Sequence, residues 1–120
     1  MAAEEGKAYP FGTRVKTGAN SSGIVKIVGG HIGYPWTTEM IAVATKHENV
    51  YIDTSAYVAK RFPPELVNYM KKNGSKKVMF GTNYPMVTAA MCLKDLDSLQ
   101  LTDEVRKLFL YENAQRVFGL

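Results

Sequence analysis

Two histidines occur in the 120 residues, and one of them sits where a loop can aim it at a pocket. His31 lies in Gly29-Gly30-His31-Ile32-Gly33, directly after a β-branched run. Glycines on both sides let the backbone bend and leave the imidazole room to face a cavity. Imidazole titrates near neutrality, so His31 can act as general acid, general base or neutral metal ligand. From position alone, a histidine that satisfies loop hydrogen bonds is an equal reading. His47, in Lys46-His47-Glu48-Asn49, falls at a predicted helix C-terminus, where a cation favours the dipole, and it reads as structural.

Asn83, in Phe80-Gly81-Thr82-Asn83-Tyr84-Pro85, follows a short apolar run. A polar residue at the C-terminal end of such a strand is where α/β proteins place ligands and catalytic groups. A neutral amide there can hydrogen-bond, and it binds cations only weakly; it is neither a carboxylate base nor a charge for a divalent ion. Asp53, Thr54 and Ser55 close another apolar run. A carboxylate at that place can face a site, but Asp caps loops readily by accepting nearby N–H groups, and capping is the reading favoured here. Trp36 and Tyr84 can line a pocket wall, although aromatics at loop starts are commonly packing anchors. The single cysteine, Cys92, excludes an intramolecular disulfide and a multi-cysteine zinc site. Within Ala89-Ala90-Met91-Cys92-Leu93 it reads as a small buried hydrophobe.

These residues need a frame to hold them. Ile24 to Val28, Val50 to Thr54 and Lys77 to Phe80 are short, apolar runs ended by turn-formers, and each predicts a strand. Between them lie two helical patterns. Thr37 or Thr38 can cap the first, whose stripe is Met40, Val43, Ala44 and His47. Pro63-Pro64 opens the second, with Leu66, Val67 and Met70 buried and Gly74 placed to stop it. After Pro85 a helix is predicted through Leu93, Leu96 and Leu99. Thr102 caps another with Val105, Leu108 and Phe109 as its stripe, and Asn113 begins a last short turn ending at Phe118.

Strand, helix, strand, helix, strand predicts an α/β fold with a parallel sheet of three to four strands and flanking helices. Residues 1–23 lack apolar periodicity and end in Asn20-Ser21-Ser22-Gly23, so they read as a mobile N-terminal arm with a short strand near Arg14-Val15-Lys16. Residues 24–120 form the one folded unit.

The charge of +4 comes largely from Lys71, Lys72, Lys76 and Lys77. Lysines around a helix end usually complement its dipole. Only Tyr69 lies close by, so the interleaved aromatics of a single-strand nucleic-acid platform are missing, and no nucleic-acid partner is expected. No apolar run approaches the roughly 20 residues of a membrane span, and no secretory signal opens the chain; a cytoplasmic setting without membrane contact is the default.

Taken in order, Ile27-Val28-Gly29-Gly30-His31-Ile32-Gly33, Pro35-Trp36, Asn49 to Ser55, Phe80 to Pro85 and Glu112-Asn113-Ala114 with Phe118 resemble the amidohydrolase-related family. These are TIM-barrel metal-dependent hydrolases and decarboxylases, including aminocarboxymuconate semialdehyde decarboxylase. The resemblance covers residues 24–120 and implies the last part of the (β/α) barrel, strands six to eight, with a C-terminal helical extension. It implies that His31 is a catalytic acid/base beside the metal. It also implies that Asn83 stands where relatives carry an Asp that ligates the metal or activates its water. The family's His-x-His pair, and a further histidine ahead of His31, have no counterpart in this sequence.

A catalytic zinc needs about three protein ligands and an open position. The expectation is therefore a truncated family member with no metal or cofactor of its own and no hydrolase activity alone, keeping a small-molecule pocket around His31, Trp36, Asn83 and Tyr84. Zinc or another divalent ion would enter only if a second chain completed the site, making a hydrolase or decarboxylase of small carboxylic substrates. An interaction module using the lysine patch or a sheet edge is a third reading. Because exposed edges of an apolar sheet invite pairing, the expected partners are further copies of the chain or a complementary N-terminal half.

Overall fold

Short apolar strands separated by helical crossovers can pair only as parallel neighbours, and the computed structural model shows that arrangement. It describes residues 8–9, 13–17 and 25–120. Strands β1 (Ala8–Tyr9), β2 (Thr13–Thr17), β3 (Val25–Gly29), β4 (Val50–Asp53) and β5 (Val78–Met79) lie side by side in chain order. β3, β4 and β5 are parallel, with Ile27 opposite Val50 and Ile52 opposite Val78. β2 adds antiparallel to the outer side of β3, from Thr13 opposite Gly29 to Thr17 opposite Val25, and β1 pairs antiparallel with β2. The strand expected near Arg14 to Lys16 is thus β2. The rest of the mobile arm expected over residues 1–23 lies outside the described residues.

Helix α1 (Thr37–Lys46) and helix α2 (Pro64–Lys71) carry the two crossovers. α1 buries Thr37, Met40 and Ala44, whereas Val43 and His47 of the predicted stripe face outward, because the buried face is rotated toward Thr37. Neither Thr37 nor Thr38 caps it. Trp36 takes the cap position with no side-chain capping bond to the helix, and the Thr38 hydroxyl instead donates to the Glu65 carboxylate at 2.8 Å, tying α1 to α2. α2 opens at Pro64 as predicted, with Leu66, Tyr69 and Met70 buried.

The pleat divides the parallel sheet into two faces. Val50, Ile52 and Val78 turn toward the helices and meet Met40, Ala44, Leu66 and Met70 in one core cluster. Truncating such a side chain to Ala costs about 2–5 kcal/mol. The opposite face carries Val28, Tyr51, Asp53, Lys77 and Met79. Lys77 therefore leaves the lysine patch: its ammonium donates to the carbonyls of His47, Glu48 and Val50 at 2.9–3.0 Å and lies 4.9 Å from the Tyr51 ring centre. Burial lowers its pKa, with Arg116 adding to the effect and Glu48 opposing it.

Beyond β5 the chain forms α3 (Ala89–Lys94), capped by Thr88, and a separate 3-10 turn, Leu96–Leu99, where one helix was expected. Thr102 caps α4 (Asp103–Lys107) as predicted, its hydroxyl accepting from the Val105 amide at 3.2 Å. α4 runs without a break through a π-turn at Leu108–Glu112 into α5 (Asn113–Phe118). In the wide turn the Asn113 amide bonds Leu108 O, so Phe109 O is free to accept from the Phe80 amide at 3.0 Å. The fully buried Asn113 side chain donates to Val78 O at 2.9 Å and Ser75 O at 2.8 Å. Met79 and Lys77 turn their polar groups to β4, so Val78 O and Phe80 N belong to the outer edge of β5. β2 thus pairs with the outer side of β3, and Asn113 and Phe109 bond Val78 O and Phe80 N on the outer side of β5. Among the described residues no helix is long and apolar enough to cross a membrane.

Candidate functional site

The C-terminal ends of β3, β4 and β5 converge, and each continues into an unusual backbone. After β3, His31, Ile32 and Gly33 take positive φ values of 53°, 55° and 76° in succession. After β4, Ala56 has φ 70°, and after β5, Asn83 has φ 66°. Tyr34–Pro35 and Tyr84–Pro85 are cis. Left-handed conformations disfavour ordinary side chains by about 1–2 kcal/mol each, and such positions concentrate at functional sites. At Gly33 no other residue fits easily, since an added Cβ would lie 2.6 Å from Met40 Cβ.

His31 and Asn83 line one cavity of about 650 Å³. It is also lined by Tyr34, Tyr57, Arg61, Met86, Val87 and Met91. A second depression of about 550 Å³ adjoins it across Tyr34, Tyr57 and Arg61. The Tyr34 and Tyr57 rings are tilted against each other with centroids 6.4 Å apart. Burial pushes the Tyr57 phenol above its ordinary pKa, Tyr34 adds to this, and Arg61 opposes it. Neither Trp36 nor Tyr84 belongs to either lining: Trp36 is 48% and Tyr84 76% exposed. The Asn83 side-chain amide donates to Met86 Sδ at 3.4 Å.

His31 Nδ1 lies 2.9 Å from Ser55 Oγ and 3.1 Å from Ser55 O. The Ser55 hydroxyl in turn donates to Asp53 Oδ2. Burial raises the Asp53 pKa, against the bonds from Ser55 and the field of His31. Thr54 is turned the other way, its hydroxyl donating to Met79 O at 3.1 Å inside the core. The Ser55 amide donates to Asp53 Oδ1 at 3.3 Å, so Asp53 caps the loop as expected and also holds the Ser55 hydroxyl. Sequence reasoning passed over Ser55, Tyr57 and Arg61. The signal for Ser55 was present, because residues two apart at a strand end share a face. Cys92 is buried, with its thiol pKa raised by that burial, as a packing residue requires.

Among the described residues no group of three or more His, Cys, Asp or Glu is placed to hold a metal ion. The mouth offers an imidazole already bonded through Nδ1 and the neutral carbonyl of Asn83. That donor set does not fit a catalytic divalent ion, which takes about three protein ligands.

A sequence profile described as Amidohydrolase matches residues 22–120. A comparison with curated proteins finds no match. Among solved structures, an uncharacterised TIM-barrel protein of Bordetella bronchiseptica superimposes with a TM-score of 0.68 at 24% identity, over 77% of this chain and 33% of that one. The 5-carboxyvanillate decarboxylase of Sphingomonas paucimobilis gives 0.59 at 22%, over 79% and 34%. An amidohydrolase of Burkholderia multivorans with bound zinc gives 0.52 at 16%, over 78% and 43%. The chain spans about a third of the length of the first two. The three parallel strands and their helices are thus part of a TIM-type barrel.

Proposed function

Since the chain belongs to the amidohydrolase family, we propose that it provides one sector of such a barrel and binds a small molecule at the strand ends. On this reading His31 is the acid/base group, and these 120 residues do not hold the catalytic metal or hydrolyse a substrate by themselves. The observation that carries it is the donor set: one imidazole and one neutral amide on a single cavity, and no group of three or more His, Cys, Asp or Glu placed for a metal among the described residues. Arg61, beside Tyr34 and Tyr57, suits a small carboxylic acid, the class to which the substrate of the similar decarboxylase belongs.

The experiment is zinc analysis of the purified chain after metal loading and desalting, paired with an NMR titration using vanillate. Zinc well below one per chain, with vanillate shifting resonances of Tyr57, Arg61 and Asn83, is the expected result. Stoichiometric, tightly held zinc would overturn the metal-free reading. A vanillate titration that leaves those resonances unmoved would overturn the pocket.

The strained turns favour a second reading, in which another polypeptide supplies the missing ligands. Left-handed His31, Ile32 and Asn83 cost stability that a purely structural remnant has no use for. Tight zinc binding that appears only on mixing with a His-x-His-bearing partner would establish it. His31→Ala would then abolish the activity of the mixture.

A further inference from the structure

With the Asp53 carboxyl ionised, the proton inventory around His31 is closed. Ser55 has one hydroxyl hydrogen, and it is given to Asp53 Oδ2. The Ser55 carbonyl has none to give. Both groups lie within hydrogen-bond distance of His31 Nδ1, at 2.9 and 3.1 Å, and both can only accept from it. We propose that Asp53 and Ser55 are positioning residues that hold the neutral His31 ring as its Nδ1–H tautomer, leaving the Nε2 lone pair directed to the cavity as the base.

The inference rests on reading His31 as the acid/base group, and it adds what sets the imidazole's chemistry. Two further observations support it. Gly81, in the loop after β5, leaves space for the pair: a Cβ there would fall 2.3 Å from Asp53 Oδ1 and 3.1 Å from Ser55 Cβ. Burial holds the Asp53 carboxyl above its ordinary pKa, so placing it there works against the fold. A residue kept only to close a loop would do so at lower cost from an exposed position. Tyr34, Tyr57 and Arg61 also face the cavity, but among the described residues Nδ1 bonds Ser55.

Long-range proton–nitrogen NMR of the full chain, labelled in histidine and held where imidazole is neutral, reads the tautomer directly. His47→Gln assigns the two rings. The expected result is Nδ1–H as the dominant form of His31. Asp53→Ala releases the serine hydroxyl to donate to Nδ1, and Ser55→Ala removes the stronger acceptor. Both raise the Nε2–H form that imidazole prefers in water, and Ser55→Thr restores the wild-type ratio. A wild-type His31 found mainly as Nε2–H would overturn the proposal whether or not any variant folds. So would a ratio unmoved in both alanine variants. Vanillate binding is scored separately: its loss with the tautomer intact refutes the pocket alone, and its persistence with the wrong tautomer refutes this inference alone.

Discussion

Asn113→Ala tests how the C-terminal helix is fastened to the sheet. The side chain is fully buried and donates to Val78 O at 2.9 Å and Ser75 O at 2.8 Å, while Oδ1 accepts from the Arg116 guanidinium at 3.3 Å. Val78 is itself buried, so its carbonyl finds no water when the amide is removed. Losing the partner of such a group costs about 1–3 kcal/mol, and the half-exposed Ser75 bond adds about 1 kcal/mol. The sum, on the order of 2–4 kcal/mol, is a large share of the stability of a domain this size. It corresponds to a fall in Tm on the order of 10–25 °C. Urea denaturation followed by circular dichroism measures it, with the exposed Gln115→Ala as control, expected within about 0.5 kcal/mol of wild type. A loss in Asn113→Ala below about 1 kcal/mol, with an unchanged m-value, would refute the reasoning.

Two further substitutions probe the mouth. Gly33→Ala forces a side chain onto φ 76° and against Met40, and should destabilise by about 2–4 kcal/mol in the same denaturation assay. A change under about 1 kcal/mol would mean that the turn relaxes freely. Asp53→Asn should produce a pH-dependent difference. The unfolded chain loses the Asp53 proton near 3.8, whereas the folded chain keeps it to higher pH because burial disfavours the charge. Wild-type stability therefore falls as pH rises from 3.8 through the folded pKa, and the shortfall persists above it. The asparagine variant lacks that loss, so it should match wild type in acid and gain on it toward neutrality. A difference that stays flat with pH contradicts the assigned burial effect.

The parallel strands were legible because Ile27, Val28, Val50, Ile52 and Val78 form β-branched runs stopped by turn residues, a pattern set by local chemistry. Helix starts at Pro64 and Thr102 were legible for the same reason. Which face of α1 is buried was not, because Val43 and Ala44 fit an apolar stripe equally well and the packing of Met40 against β3 decides between them. The π-turn was also hidden. Helical periodicity continues across it, and only the amide of Phe80, distant in sequence, uses the carbonyl it frees. At the site, His31 and Asn83 were chosen by type and position, and both line one cavity. Trp36 and Tyr84 were chosen as aromatics at loop starts, while Tyr34 and Tyr57 are the aromatics that line the cavity. Side-chain direction in left-handed turns is fixed by backbone angles that residue identity does not report.

The wide turn at Leu108–Glu112 bears on how the barrel could ever be completed. A polypeptide offering the next strand beside β5 would find Phe80 N engaged by Phe109 and Val78 O engaged by Asn113. Completion is then an exchange reaction, in which the incoming backbone competes with the chain's own C-terminal helix for the same two groups. Each bond formed replaces one already present, so pairing there gains little. A helper chain would win through contacts elsewhere, on the exposed rim of Tyr34, Tyr84, Met86 and Met91, or through a metal ion it carried with it.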